Sequence, residues 1–403
     1  MRICFVSRRY FPAISGMSIY AVNLLQQLVA AGHDLTMVSQ YRGDALGTRI
    51  YGGGPPPPVP GVKVIGLEQR GEQDGGDFER DIAEMVETIV AEHRREPFDI
   101  LHAQYGYPTG WAVLLASQRL GVPNIVSIQG GDGHWVGSCC ETHRLAMKRV
   151  LDHAGVLLIG GHSFAQEVSD RLGTLIDRFT VVPGAVDTDC FTPAPDLAAD
   201  GPAKILYHGR VDRRKGVLDF LQSLTAVAGD WQATVSGIGP DLADAQMLAE
   251  QLGLGERVTF SGYADYADVP RIYRAHHIFA SPTYAEGFSN TIHEAMASGL
   301  AVLSCRSVGV VDCLRDGDNG LLTEAGDVAG QARALTALVN DLSLRARLAD
   351  AALAECRRTY SWHAVGRRIM VEYGRLARTQ PDTMFDANLP VTPCRFRLEP
   401  HLL

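Results

Sequence analysis

An unbroken apolar run, Ile3-Cys4-Phe5-Val6, opens the chain and reads as a buried strand. From Ile19 to Ala30 apolar residues recur at helical spacing, Gly32-His33 break the pattern, and Leu35 to Val38 form a second apolar run, so the first forty residues predict a strand-loop-helix-turn-strand unit. Ile82, Met85, Val86, Ile89 and Val90 mark one face of another helix, which Pro97 closes before a strand at Ile100-Leu101. The rhythm continues with a helix near 111–120, a strand over 124–128, a helix near 141–152 and a strand over 155–159. Short strands alternating with helices predict a parallel, doubly wound sheet.

Between about 190 and 202 the composition turns to Pro, Ala and Asp, and the rhythm restarts at Ala203. Strands are predicted near 203–208, 231–236, 257–260, 277–281 and 301–304, with helices between them. This places one Rossmann-like domain over 1–195 and a second over 196–360. Ligands of open parallel sheets bind beyond the carboxyl ends of the strands, so a cleft between the two domains is the expected active site. Residues 41–61, with Gly52-Gly53-Gly54 followed by four prolines, fit neither a helix nor a central strand; they read as a surface loop, either a connector or a flap over an acceptor. The stretch 379–403, with Pro381, Pro390 and Pro393 and no period, reads as an irregular tail.

Composition narrows the function classes. The 403 residues are 46% hydrophobic and 21% charged, enough apolar material for two cores and too much for general disorder, and no run approaches the roughly eighteen apolar residues of a membrane span. Lys plus Arg number 37 against 46 Asp plus Glu, and neither half is basic, which weighs against nucleic acid as a partner. The eight cysteines contain no C-x-x-C pair, so no zinc site is legible, and no secretory signal opens the chain; reduced thiols in a cytoplasmic protein are expected.

Two clusters carry candidate chemistry. In Ser281-Pro282-Thr283-Tyr284-Ala285-Glu286-Gly287-Phe288-Ser289-Asn290, running on to Glu294, two glutamates stand eight positions apart. A helix starting near Ser289 or Asn290 leaves Glu286 in the preceding loop and Glu294 a turn inside, with the N–H groups of Gly287, Phe288, Ser289 and Asn290 turned to the cleft; such a start attracts anions. Taken alone, the spacing also fits two unrelated solvated glutamates. The second cluster is His208-Gly209-Arg210-Val211-Asp212-Arg213-Arg214-Lys215-Gly216, four cations in six residues after a strand. An arginine fork beside a compact lysine suits a diphosphate, although a solvated basic loop has the same composition. Gly16, in a loop that opens the first helix, could bring backbone near a phosphate.

Together with Asp99-Ile-Leu-His102, Val182-Pro-Gly-Ala-Val-Asp187, Gly237-Ile-Gly239-Pro and Gly320-Leu-Leu before Gly326-Asp327, these residues resemble the retaining glycosyltransferases of the GT-B fold, family 4, over almost the whole chain. The resemblance implies an α/β protein of two Rossmann-like domains facing across a cleft, with a helix over 361–378 crossing back to the first domain. It further implies Arg210 and Lys215 on the donor diphosphate, Glu286 on the donor sugar, Glu294 on the ribose, and Gly16 with residues 287–290 as further donor contacts. The reaction it implies is transfer of a sugar from a nucleotide-diphosphate sugar to a hydroxyl of a glycan, lipid carrier or small molecule. In the usual front-face mechanism the departing phosphate takes the acceptor proton, so no protein base, metal or other cofactor is required.

Three positions depart from that pattern. Gln129-Gly130 stands where the family commonly has histidine before glycine; glutamine can hydrogen-bond a sugar hydroxyl but cannot shuttle a proton, leaving Asp132 and His134 as nearby candidates. Ser15-Gly16 replaces a glycine pair, and Val308-Gly309-Val310-Val311-Asp312 replaces a Gly-Gly before an acidic residue. A silent nucleotide-sugar-binding protein and a nucleotide-sugar epimerase of the same fold are the alternatives. Asp187-Thr188-Asp189 matches a metal-binding D-x-D, but its context favours a turn, as does that of Asp316-Gly-Asp318-Asn-Gly320. G-x-G-x-x-G is absent from the first unit, against a dehydrogenase. The helix with Arg144, Lys148 and Arg149 beside Leu145, Met147, Val150 and Leu151 either packs on the sheet or touches the inner face of a membrane.

Overall fold

A computed structural model describes residues 1–13, 15–44, 53–131, 136–194 and 201–400. The chain divides into two units, Met1–Pro183 with Val365–Leu403, and Gly184–Ala364.

The first unit is built on a seven-stranded sheet ordered β3-β2-β1-β4-β5-β6-β7, every pairing parallel. Its strands are β1 (Arg2–Ser7), β2 (Asp34–Tyr41), β3 (Val62–Glu68), β4 (Ile100–Gln104), β5 (Asn124–Ile128), β6 (Val156–Ile159) and β7 (Phe179–Val181). The helices α1 (Gly16–Ala30), α2 (Phe78–Arg95), α3 (Trp111–Leu120), α4 (Glu141–His153) and α5 (His162–Leu172) fill the crossovers. In α2 the five residues named from periodicity are all buried. A parallel sheet covered on both faces needs strands that are apolar on both faces, and Ile3 to Val6 are all fully buried. β2 and β3 are joined by residues 42–61, whose described part holds no helix.

The second unit has a six-stranded parallel sheet ordered β10-β9-β8-β11-β12-β13. Its strands are β8 (Ala203–His208), β9 (Trp231–Ser236), β10 (Val258–Gly262), β11 (Ile278–Ser281), β12 (Ala301–Cys305) and β13 (Leu321–Thr323). Its helices are α6 (Val217–Leu224), α7 (Leu242–Gln251), α8 (Val269–Arg274), α9 (Asn290–Ala297), α10 (Val328–Asn340) and α11 (Leu342–Glu355). One apolar cluster around Trp231, Tyr207 and Phe220 and another around Tyr273, Phe279 and Ile292 form its core.

The expected boundary at 195 lies beyond the observed one. Residues from Gly184 side with the second unit because Val186 N donates to Tyr360 O at 2.8 Å and Phe191 is buried against Tyr273. From Val365 onward α12 (Trp362–Leu376) belongs to the first unit, where the Tyr373 hydroxyl meets Nδ1 of buried His102, a β4 residue whose Nε2 lies 2.9 Å from Ser127 Oγ. Burial holds this imidazole neutral, down to about 3. The tail has one short helix, Arg395–Leu398, and is otherwise without helix or strand up to residue 399. It is nonetheless tied down: Gln118 Nε2 donates to Thr383 O and Phe385 O, each at 2.9 Å, and Arg397 grips Glu79 at 2.8 and 2.6 Å. In α4, Met147, Val150 and Leu151 are fully buried, while Leu145 is partly exposed. Among the described residues no helix is long and apolar enough to cross a membrane.

Candidate active site

In the second sheet the strand order reverses between β8 and β11, which pair in parallel at Ile205↔Ile278 and Leu206↔Phe279. Crossovers from these two strands leave in opposite directions, so their carboxyl-end loops part and open a crevice, the usual ligand position in such sheets. The loop after β8 is the basic stretch 209–216, and the loop after β11 carries Glu286. The two candidate clusters, seventy residues apart in sequence, therefore occupy adjoining strands at the one place where this topology makes room for a ligand.

The loops are locked together by backbone. Gly216 has φ +74°, and a Cβ there would stand 2.0 Å from Pro282 O; Gly309, at φ +78°, would put one 2.2 Å from Glu286 O. Neither position admits a side chain, because the left-handed backbone and the abutting carbonyl both exclude it. Glu286 N donates to Val308 O at 3.0 Å and Tyr284 N to Arg214 O at 3.0 Å, so the loops after β8, β11 and β12 brace one another. From below, the buried Tyr207 hydroxyl donates to Arg210 O at 3.0 Å.

Side chains sort the four cations. Arg213 is taken up by Asp241 at 2.8 Å and Asp244 at 2.9 Å, and Arg214 by Asp212 at 2.7 Å. These pairs fix the loop. Asp212, bonded to Arg214 and facing Arg210 at 3.3 Å, is held down at about 2 and stays ionised. Lys215 behaves differently: its Nζ lies 2.8 Å from Glu286 Oε1, an ion pair with 33% and 14% of the two side chains exposed.

Behind that pair lies the second glutamate. α9 begins at Asn290 with Ser289 as its N-cap residue, whose side chain makes no capping bond. Glu294, in the second turn, is buried and accepts from the Tyr273 hydroxyl at 2.9 Å; burial raises its carboxyl to about 7, against the hydrogen bond that lowers it. Tyr273 also packs edge-on against His208 at the end of β8, 5.4 Å between centroids. Phe288 turns its ring inward, stacking on buried His293 at 4.1 Å with Gly184 against its edge, which leaves backbone rather than ring as its polar offering. Ser289 and Gly287 are buried, and Asn290 is the first helical residue.

The first-unit candidates are placed at corresponding points of their own sheet. Gly16 is the first residue of α1, which follows β1, and Gln129 comes directly after β5. Asp132 and His134 lie outside the described residues. The two alternative metal motifs are turns. Asp187 Oδ1 accepts from Asp189 N at 3.0 Å and Cys190 N at 3.1 Å; Asp316 accepts from Leu322 N at 2.9 Å, and Asp318 pairs with Arg315.

Comparison with known proteins gives this geometry a context. Residues 15–185 match the family described as glycosyl transferase 4-like domain, and residues 192–354 match glycosyl transferases group 1. The D-inositol 3-phosphate glycosyltransferase of Corynebacterium jeikeium is 26% identical over 90% of this chain and 94% of its own length. The chain is a GT-B glycosyltransferase. Among solved structures, the sucrose-phosphate synthase of Thermosynechococcus elongatus superposes with a TM-score of 0.78 over 93% of this chain and 98% of that one, at 21% identity. HepE of Anabaena, solved with UDP and glucose, gives 0.72 over 93% and 100% at 17%.

Several residues of this glycosyltransferase that shape the site carried no signal in the sequence. Tyr273 and Tyr207 are core aromatics by pattern, and only the fold turns their hydroxyls onto Glu294 and the basic loop. Tyr105, at the carboxyl end of β4, holds a positive φ of 97°. A non-glycine residue there is strained by roughly 1–3 kcal/mol, and such strain gathers at functional sites. β4 adjoins β1 where the first sheet's order reverses, so this residue stands at the carboxyl end of that switch point.

Proposed function

We propose that this glycosyltransferase takes its sugar from a nucleotide-diphosphate sugar held on the second unit, transfers it to a hydroxyl acceptor with retention of anomeric configuration, and uses no metal at the donor. The observation that carries the reading is the Lys215–Glu286 ion pair at the switch-point crevice. A donor diphosphate would take Lys215 and Arg210 as counter-ions, and its sugar hydroxyls would take Glu286 as an acceptor, so binding exchanges one partly exposed ion pair for two sets of ligand contacts. Charge grows on the diphosphate as the glycosidic bond breaks. Cations already positioned by Tyr207 and Asp212 meet that charge without reorganising, the condition under which electrostatic stabilisation of a transition state is largest. Glu294 would accept the ribose hydroxyls, with Tyr273 fixing its orientation, and the main-chain N–H groups of Gly287, Phe288, Ser289 and Asn290 would meet sugar and phosphate. Gly16, Gln129, Asp132 and His134 are assigned to the first unit's share of donor and acceptor. The departing phosphate oxygen would take the acceptor proton.

The UDP-bound HepE supports a nucleotide donor, and the D-inositol 3-phosphate glycosyltransferase supports a polar, hydroxyl-rich acceptor; a lipid-linked acceptor, with peripheral association with the inner face of a membrane, is the other acceptor class this reading admits. Turnover of a panel of UDP-, GDP- and ADP-sugars with no Mg²⁺ or Mn²⁺ added, with product anomers assigned by NMR, tests the proposal. Transfer with retention supports it; inversion, or strict dependence on added Mg²⁺ or Mn²⁺, contradicts it. Gln129 favours a second reading, a silent binding protein, which predicts tight nucleotide-sugar binding without turnover on any acceptor.

A further inference from the structure

Outside the donor site, the fold gathers a set of side chains that the sequence keeps far apart. Cys139, Cys140, His143 and Cys394 present one potential ligand atom each, all within 4.8 Å of one another. Cys140 is the N-cap residue of α4 and makes no capping bond, His143 follows one turn on, and Cys139 precedes both. An N-cap side chain turns back toward the third helical residue, here His143, which sets the two side chains together at the start of α4. Cys394 arrives from the tail, more than 250 residues later.

That arrival is fixed by independent bonds. Thr142 N donates to Thr392 Oγ1 at 3.2 Å, Thr392 N donates back to Thr142 Oγ1 at 2.9 Å, and Thr142 Oγ1 donates to Pro390 O at 2.6 Å. The reciprocal threonine pair sets the tail in register on the start of α4 two residues before Cys394. Beyond it, buried Phe396 and the Arg397–Glu79 pair hold the other side. His143 is itself immobilised: it is fully buried, 4.5 Å from the Tyr107 ring and 5.5 Å from the Phe78 ring by centroids. Its Nδ1 is turned to the sulfurs, 2.8 Å from Cys139 Sγ and 3.7 Å from Cys394 Sγ, while its buried Nε2 has no hydrogen-bond partner among the described residues.

We propose that Cys139, Cys140, His143 and Cys394 form a tetrahedral Zn²⁺ site that staples the C-terminal tail to the start of α4. Three thiolates and an imidazole are the ligand set of structural zinc, and four protein ligands leave no position open for chemistry. Zinc–sulfur bonds of about 2.3 Å and a zinc–nitrogen bond of about 2.0 Å set ligand atoms roughly 3.5–3.8 Å apart in a tetrahedron. The Cys394–His143 separation already matches, and Cys139 must withdraw from Nδ1 by under about 1 Å, within reach of a small χ1 change. Binding displaces the thiol protons to solvent, and the resulting centre of net charge −1 lies at the positive end of a thirteen-residue helix. Sequence inspection alone misses the site because adjacent cysteines followed by a histidine match no common zinc spacing and the fourth ligand is remote.

The test is metal content and uptake by the full-length protein. Purified under reducing conditions, the parent should carry one zinc per chain by mass spectrometry of the metal. Stripped by chelator and titrated with Co²⁺, it should take up one equivalent with the intense visible bands of tetrahedral cobalt-thiolate. Cys394→Ser and His143→Gln should each lose that uptake, while Cys190→Ser, an exposed thiol elsewhere, should keep it. Should Cys394→Ser not fold, chelator treatment of the parent substitutes: the tail should become cleavable by limited proteolysis on chelation and be protected again by Zn²⁺. The proposal is overturned if the reduced parent takes up neither metal, if uptake is equal in Cys394→Ser and the parent, or if Cys394 is found in a disulfide with Cys139 or Cys140 and no metal is retained.

Discussion

Two ion pairs in this molecule are chemically alike and physically opposite. In the first unit Arg8, just past β1, pairs with Glu72; their side chains are 2% and 0% exposed. Gln69 Nε2 donates to Glu72 Oε1 at 3.0 Å, and Asp81 accepts from the backbone of Gly71 and Glu72 at 2.7 and 2.9 Å. Each of these partners is protein, and both charged side chains are almost wholly enclosed. In the second unit Lys215 and Glu286 meet at a crevice, 33% and 14% exposed. A buried pair is expensive to break from one side, because the survivor is an uncompensated charge. A part-exposed pair is worth little in stability, since water can replace either partner, and so can a ligand. Sequence pattern does not distinguish them; enclosure does, and under the proposed function it separates a structural pair from one that substrate would exchange.

The widest gap should appear in stability. Glu72→Ala should cost about 3–5 kcal/mol by leaving Arg8 buried and unpaired, read as a fall in the denaturation midpoint at constant m. A loss below about 1 kcal/mol would erase the contrast. Glu286→Gln should change stability by about 1 kcal/mol or less while slowing transfer by a factor equivalent to roughly 3–4 kcal/mol in the barrier. Near-parent turnover would remove Glu286 from the site.

Glu294 sharpens the contrast through pH, since it too is buried yet belongs to the proposed donor site. Its folded-state pKa, about 7, stands above the ordinary 4.5, so the folded protein binds the extra proton. That contribution to stability is complete below pH 4.5 and is lost as pH rises through 7. Glu294→Gln has no such loss, so its stability relative to the parent should rise between pH 5 and pH 8 by up to about 3 kcal/mol. Denaturant titrations at the two pH values measure the difference, and parallel curves would contradict the burial argument. Smallest of all is Arg213→Ala. This cation of the basic loop is committed to Asp241 and Asp244, and turnover should stay close to the parent's.

Legibility followed position in the sheet. Central strands of a parallel sheet are apolar on both faces, so β1, β5, β8, β11 and β12 stood out as apolar runs. The strands missed, β3, β7 and β13, are edge strands. Val62-Lys63-Val64-Ile65-Gly66-Leu67-Glu68 mixes exposures, while β7 and β13 span only three residues each, too short for any period. Among site residues, the charged loops were readable because their composition is unusual. What composition could not supply was pairing: that Arg213 and Arg214 are spent on aspartates while Lys215 meets Glu286, that Tyr273 serves Glu294, and that Cys394 joins α4. Each is a long-range contact decided by topology.

Calorimetric titration of nucleoside diphosphates and their sugars into the parent, Lys215→Ala and Glu286→Gln tests the central claim most directly. Lys215→Ala should weaken nucleoside diphosphate and sugar donor alike, by about tenfold or 1.4 kcal/mol, whereas Glu286→Gln should weaken only the sugar-bearing ligand. Equal affinities across all three proteins would show that the exposed pair at the switch point does not hold the donor.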